Sequence, residues 1–175
     1  AEIAVIFLAI LANLSSPLTA IQLLWLNLIT DGAPALALGM EKGEPDIMEQ
    51  PPRPPQEPVI NRPMWVGIAV QTVAITAAVL GAYLIGLRRF ADIPAMAHTM
   101  AFVTLSGSEL LRAFTTRSER RSLFEIGILT NKAMFYAVAA SLTLLLAVVY
   151  IPYLQPIFNT VPLGWAQWEV VLPLL

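Results

Sequence analysis

The 175-residue chain has no cysteine and one histidine, His98. Without cysteine there is no disulfide and no thiolate metal site, and a single imidazole is too few for a transition-metal centre built on nitrogen and sulfur. Charge is scarce as well. Only 13% of residues are charged against 57% hydrophobic, with a mean hydropathy of +0.70. A net charge of −2 offers no basic surface for nucleic acid. The apolar runs do not alternate with polar residues, which excludes the pattern of a transmembrane β-barrel. What the chain has instead is a series of continuous apolar runs of about 20 residues, the length of a bilayer span. The expectation is an all-α, polytopic transmembrane helical bundle of about six spans.

The first and last spans are expected to be truncated. Residues 1–14 are apolar from the start, with Glu2 as the only acid and no initiator Met, and the last helix opens at Trp165, near the end of the chain. Between them the runs 18–40, 64–87, 95–115 and 128–151 read as spans, the third less apolar than the others. Residues 41–63 change character, with seven of the 14 prolines, five acids and three bases, and predict an extended, water-exposed loop. A basic loop, RSERRSLFEIG, begins at Arg117. If loops alternate sides, one side holds Lys42, Arg53, Arg62, Arg112, Arg117, Arg120, Arg121 and Lys132, and the other only Arg88 and Arg89. The positive-inside rule puts the first side in the cytosol.

One run is unlike the rest. IQLLWLNLITDGAPALAL, residues 21–38, carries Asn27, Thr30 and Asp31 at i, i+3 and i+4, hence on one helix face. Gly32-Ala33-Pro34 follows, and Pro34 has no N–H for the carbonyl of Thr30, so the helix should loosen beside the polar side chains. Carboxylates and freed carbonyls are costly in a bilayer unless they serve something. Two other acids lie well inside spans, Glu2 and Glu109, each on its own helix. Together with Asn27 and Thr30, the three carboxylates offer eight side-chain oxygens, which suits a hard cation such as calcium with its roughly six to eight oxygen ligands. Three carboxylates neutralise about one divalent ion, so a second would need a further acid from elsewhere. The structural alternative for Glu109 is an ion pair with Arg112 one turn on. His98, Ser106, Ser108 and the four Trp residues read as packing, supporting or interface residues.

The stretch Gln22 to Pro34, QLLWLNLITDGAP, resembles the sixth transmembrane helix of P-type calcium ATPases of the sarco/endoplasmic reticulum type. Asp46-Ile47-Met48, Pro51-Pro52-Arg53 and Glu57-Pro58 resemble the cytosolic loop after that helix, and Glu109 with Ser118-Glu119 and Ser122-Leu123 resembles the eighth helix and its loop. The resemblance implies that residues 1–175 are the C-terminal transmembrane domain, helices five to ten. It implies that Glu2, Thr30, Asp31 and Glu109 form one calcium site, and that Asn27 and Asp31 contribute to a second completed by an upstream helix. Arg112 departs from the family's expected neutral residue.

The implied function is calcium export from the cytosol by alternating access, driven by phosphorylation from ATP elsewhere in the protein, with protons carried back. Implied partners are calcium ions, the lipid bilayer, upstream transmembrane helices and a cytosolic phosphorylation domain that would hold Mg2+ and ATP. No catalytic residue falls in this chain. A bacterial plasma membrane is the expected location. The alternatives are a P-type pump for sodium or manganese, and a membrane scaffold without transport.

Overall fold

The computed structural model describes residues 1–41, 58, 60–117, 127 and 130–175. Most of the Pro-rich stretch 41–63 and of the basic loop after Arg117 therefore lies outside the described residues, as do the loop motifs at 46–48, 51–53, 118–119 and 122–123. The described residues form helices and connections without a strand: α1 (Glu2–Leu11), α2 (Ala20–Trp25), a π-helical stretch (Leu26–Asp31), α3 (Gly32–Leu38), α4 (Arg62–Arg89), α5 (Pro94–Thr115), α6 (Lys132–Tyr150), α7 (Gln155–Phe158) and α8 (Trp165–Leu174).

Local chemistry sets the boundaries. Thr19 and Gln22 form a capping box at the start of α2: Thr19 Oγ1 accepts from Gln22 N–H at 3.4 Å, and Gln22 Oε1 accepts from Thr19 N–H at 2.9 Å. Asn61 and Asn131 cap α4 and α6 by accepting from Met64 and Met134 N–H, both at 2.9 Å. Pro94 opens α5, where its missing N–H has no partner to lose. Pro152 holds Ile151 extended and ends α6.

Three helical segments are long and apolar enough to cross a membrane: Ala20–Leu38, Met64–Arg89 and Lys132–Tyr150. The fourth long helix, α5, lies at the centre. Every residue from Met96 to Leu110 except His98 is buried. It packs most closely on α4, where Gly86 lies so near Ala97 that a Cβ would fall 2.6 Å from the Ala97 Cα. Two of its buried hydroxyls turn back onto their own helix, with Thr99 and Thr104 donating to the carbonyls of Ala95 and Met100 at 2.8 Å. The outer face of α4 is the opposite: Trp65, Val66, Val70 and Val73 are each 60% or more exposed. Such an apolar stripe is stable against lipid and unstable in water.

Hydrogen bonds between elements define two ends. At one, Tyr83 of α4 meets Ser15 and Gln22 donates to Phe158 O at 3.0 Å, joining α4, the α1–α2 connection, α2 and α7. At the other, residues following α3 and α5 meet the cap of α6.

Candidate functional site

The loosening expected before Pro34 is present as the π-helical stretch Leu26–Asp31. The physical cause is the one read from the sequence. Proline at the third position of α3 cannot donate back to Thr30, and the backbone widens by one register step instead of breaking. The carbonyl of Ile29 within this stretch accepts from Ser141 Oγ of α6 at 2.9 Å, so a neighbouring helix holds the widened turn in place. Ser141 is 2% exposed and was not picked out by sequence reasoning.

The widened turn sorts the candidate residues into two groups. Asn27 donates to Glu2 Oε2 at 3.4 Å and to Leu23 O at 2.9 Å, linking α1 to the π-helical stretch. Thr30 and Asp31 line a cavity of about 230 Å³ that Glu109 also lines. Its remaining walls are Pro34, Ala35 and Leu38 of α3, Arg112, Ala113 and Thr116 at the end of α5, and Met134 of α6. At about 30 Å³ per water, the space accommodates a cation with several waters. Asp31 is exposed and makes no hydrogen bond among the described residues, whereas Thr30 and Glu109 are buried. Glu2, Asp31 and Glu109 are the three acids that the sequence sets well inside apolar runs. They do not converge on one point: among the described residues no three His, Cys, Asp or Glu side chains are grouped tightly enough to hold a metal ion.

Polar satisfaction marks the site. Five buried side-chain polar atoms lack a hydrogen-bond partner among the described residues. Two are carboxylate oxygens, Glu2 Oε1 and Glu109 Oε2, and a third is Ser106 Oγ, one turn before Glu109 on α5. Buried acceptors without donors are rare, and they fit an electropositive ligand. The structural alternative for Glu109 is not realised: Arg112 lines the same cavity and forms no ion pair with it. Ser106 and Ser108 do not bond to Glu109 either. His98 is a packing residue, with Nδ1 3.1 Å from Pro17 O and its ring 5.5 Å from that of Tyr83.

Sequence reasoning also missed a second polar cluster, beyond the cavity's far end. Arg117, 8% exposed, donates from Nε and Nη2 to the two oxygens of Glu41, both at 2.8 Å. It donates further to Gly127 O at 2.9 Å and to Thr130 Oγ1 at 2.7 Å. Asn131 Nδ2 donates to Glu41 Oε2 at 2.7 Å and to Ala37 O at 3.0 Å. The Arg117 guanidinium, bonded to Glu41, holds that carboxyl below its ordinary value of 4.5, and the carboxylate in turn raises Arg117.

Residues 15–175 match the family model described as "Cation transporting ATPase, C-terminus". The chain belongs to this family. Its helices are those of an integral membrane protein of the cation-transporting ATPases. Similar proteins include the calcium-transporting ATPase of Bacillus subtilis, 40% identical over 98% of this chain and 19% of the relative. Calcium-transporting ATPase 1 of Yarrowia lipolytica is 37% identical over 91% of the chain and 17% of the relative. The human calcium-transporting ATPase type 2C member 2 is 36% identical over 93% and 17%. The chain thus spans less than a fifth of the length of these relatives. The resemblance to the calcium pumps holds at this level in bacterial and eukaryotic proteins alike.

Proposed function

We propose that this chain is the ion-binding transmembrane part of an ATP-driven calcium pump. It moves Ca2+ out of the cytosol by alternating access, with protons returning on the emptied carboxylates. In this reading Glu2, Asn27, Thr30, Asp31 and Glu109 supply oxygens to the transported ion. Residues 1–175 form the C-terminal transmembrane domain, and the Pro-rich loop 41–63 lies in the cytosol against the phosphorylation domain. Mg2+ and ATP bind outside this chain, and no residue here performs the phosphoryl transfer. A bacterial plasma membrane fits the short connections between the helices.

The observation that carries the proposal is the pairing of a π-helical turn with partnerless carboxylate oxygens. A regular helix would bury every carbonyl in its own ladder; the π-helical stretch before Pro34 carries Thr30 and Asp31, which line one cavity with Glu109. The ligand types are oxygens only, which favours a hard cation. The relatives' names supply calcium as the cation to test first.

The full-length protein in sealed vesicles tests this. ATP-driven uptake is measured for calcium, manganese and sodium in the wild type and in Asp31→Asn and Glu2→Gln. Calcium uptake that both substitutions weaken supports the proposal. Uptake of manganese or sodium in preference to calcium reassigns the cargo, and unchanged calcium affinity in Asp31→Asn removes the site. Vesicle pH that stays constant during uptake removes the proton step.

A further inference from the structure

We propose that the Glu41–Arg117 ion pair, braced by Asn131, is a positioning element for the cation site: it fixes the ends of α3 and α5 so that Asp31 and Glu109 stay opposed across their cavity. The inference rests on reading those two carboxylates as cation ligands.

The covalent path is short on both sides. Glu41 follows Asp31 by ten residues and Arg117 follows Glu109 by eight. At the rise of an α-helix, each partner lies about 12–15 Å from its carboxylate, and α3 and α5 act as two arms joined at their tips. The pair also borders the cavity. Its lining includes Leu38, Thr116 and Met134, and the clamp residues stand three after the first, one after the second and three before the third, at Glu41, Arg117 and Asn131. A shift of either helix end therefore changes the cavity and the clamp together.

The geometry is too specific for a casual surface pair. The Arg117 side chain is fully buried and Glu41 is 19% exposed. The contact is bidentate, the arrangement that a guanidinium fork and a carboxylate lock most rigidly. Asn131 adds a third arm: its amide donates to Glu41 and to the Ala37 carbonyl, which also accepts from Met40 N–H at 3.2 Å, while its Oδ1 caps α6. The helix that supplies Ser141 to the π-helical turn is thereby tied to the end of α3 at a second point.

The test uses the full-length protein and the variants Glu41→Gln and Arg117→Lys. Phosphoenzyme formation from ATP is titrated with calcium. Spin labels on cysteines introduced at the exposed positions Met40 and Thr115, in a background without other reactive cysteines, report the separation of the α3 and α5 ends. The expected result is an increase of about tenfold in half-saturating calcium, the scale of a coupling between distant sites. Maximal phosphoenzyme per folded protein stays near the wild-type level, and the label distance distribution broadens. Arg117→Lys keeps the charge but loses the fork, so it is expected to fold where Glu41→Gln fails and still to raise half-saturating calcium. Unchanged half-saturating calcium in the folded variants overturns the proposal, whether or not the distances broaden. A wild-type protein whose phosphorylation ignores calcium overturns the calcium reading itself and the positioning role with it.

Discussion

Glu109 and Glu41 are both glutamates held beside an arginine where α3 and α5 approach each other, yet their surroundings are opposite. Glu109 lies buried on α5 with Oε2 unpartnered, and the nearby Arg112 leaves it unpaired. Glu41 has both oxygens filled by Arg117 and a further amide from Asn131. A carboxylate with its acceptors satisfied holds structure together. One buried with an acceptor empty is held ready for something the protein does not itself supply. Substitutions at the two sites should therefore separate ion binding from stability.

The largest effect is expected at the empty site. Asp31→Asn removes a charge from the exposed residue that shares the Glu109 cavity. Half-saturating calcium in the full-length protein should rise by at least about a hundredfold, beyond what loss of an outer partner of a metal ligand does. Thermal stability without calcium should stay level or rise, because an uncompensated charge has gone. A marked loss of calcium-free stability in Asp31→Asn would reverse the distinction between the two regions.

Glu41→Gln comes next and runs the other way. Removing one member of a buried pair leaves Arg117 uncompensated, and the full-length protein should lose about 3 kcal/mol, the lower end of the range because Glu41 is partly exposed. The pH dependence has a definite sign. Glu41 is depressed below 4.5 in the fold, so the clamp's stabilisation is complete above 4.5 and is lost only as pH falls through the lower folded value. Arg117 is raised above its ordinary value by the Glu41 carboxylate, so its contribution is complete at every pH from acid through neutral. The label distance between positions 40 and 115 should stay narrow from alkaline pH down to about 4.5 and broaden only as pH falls through the lower folded value of Glu41. Broadening near neutral pH would show that another group governs the clamp.

What could be read from the sequence follows the same division. The π-helical turn was legible because its causes are local: Pro34 lacks an N–H, and Asn27, Thr30 and Asp31 share one face by helical spacing. Glu109 was legible because a carboxylate in an apolar run is conspicuous. The clamp was not. Arg117 stands in a run of loop charges that looks solvated, and only the fold brings it to Glu41, 76 positions away. Ser141 was hidden similarly, since a lone serine in an apolar helix gives no sign that it meets Ile29 O, 112 positions away. The bond of Asn27 to Glu2 and the cavity that Thr30 and Asp31 share with Glu109 also needed the structure, because each joins residues far apart in the chain.

Pro34→Ala tests the π-helical turn. It restores the N–H that Thr30 lacks and should let the turn wind as α-helix, drawing the Ile29 carbonyl from Ser141. Half-saturating calcium should rise by about tenfold, the scale seen when a metal ligand loses its orienting partner. Calcium-free stability should increase. Ser141→Ala should raise half-saturating calcium in the same direction without the gain in stability, since it removes a hydrogen bond and adds none. A Pro34→Ala protein with wild-type calcium dependence would mean that the π-helical turn is incidental to the site.

The smallest expected effect is the control that gives the clamp its meaning. Tyr83 is fully buried, lies 2.5 Å from Ser15 Oγ and donates to Ser15 O at 3.1 Å, tying α4 to the α1–α2 connection at the opposite end of the bundle. Like Glu41 it is satisfied, but it is uncharged, and its hydroxyl bonds neither α3 nor α5. Tyr83→Phe keeps the ring and should cost about 1 kcal/mol, the usual worth of a neutral hydrogen bond. Calcium dependence should not move. If Tyr83→Phe shifted half-saturating calcium as far as Glu41→Gln, any loosening of the helices would disturb the site, and the Glu41–Arg117 pair would have no special hold on Asp31 and Glu109. If only Glu41→Gln shifts it, the control lies in which two helices are joined, and not in how firmly the bundle as a whole is held.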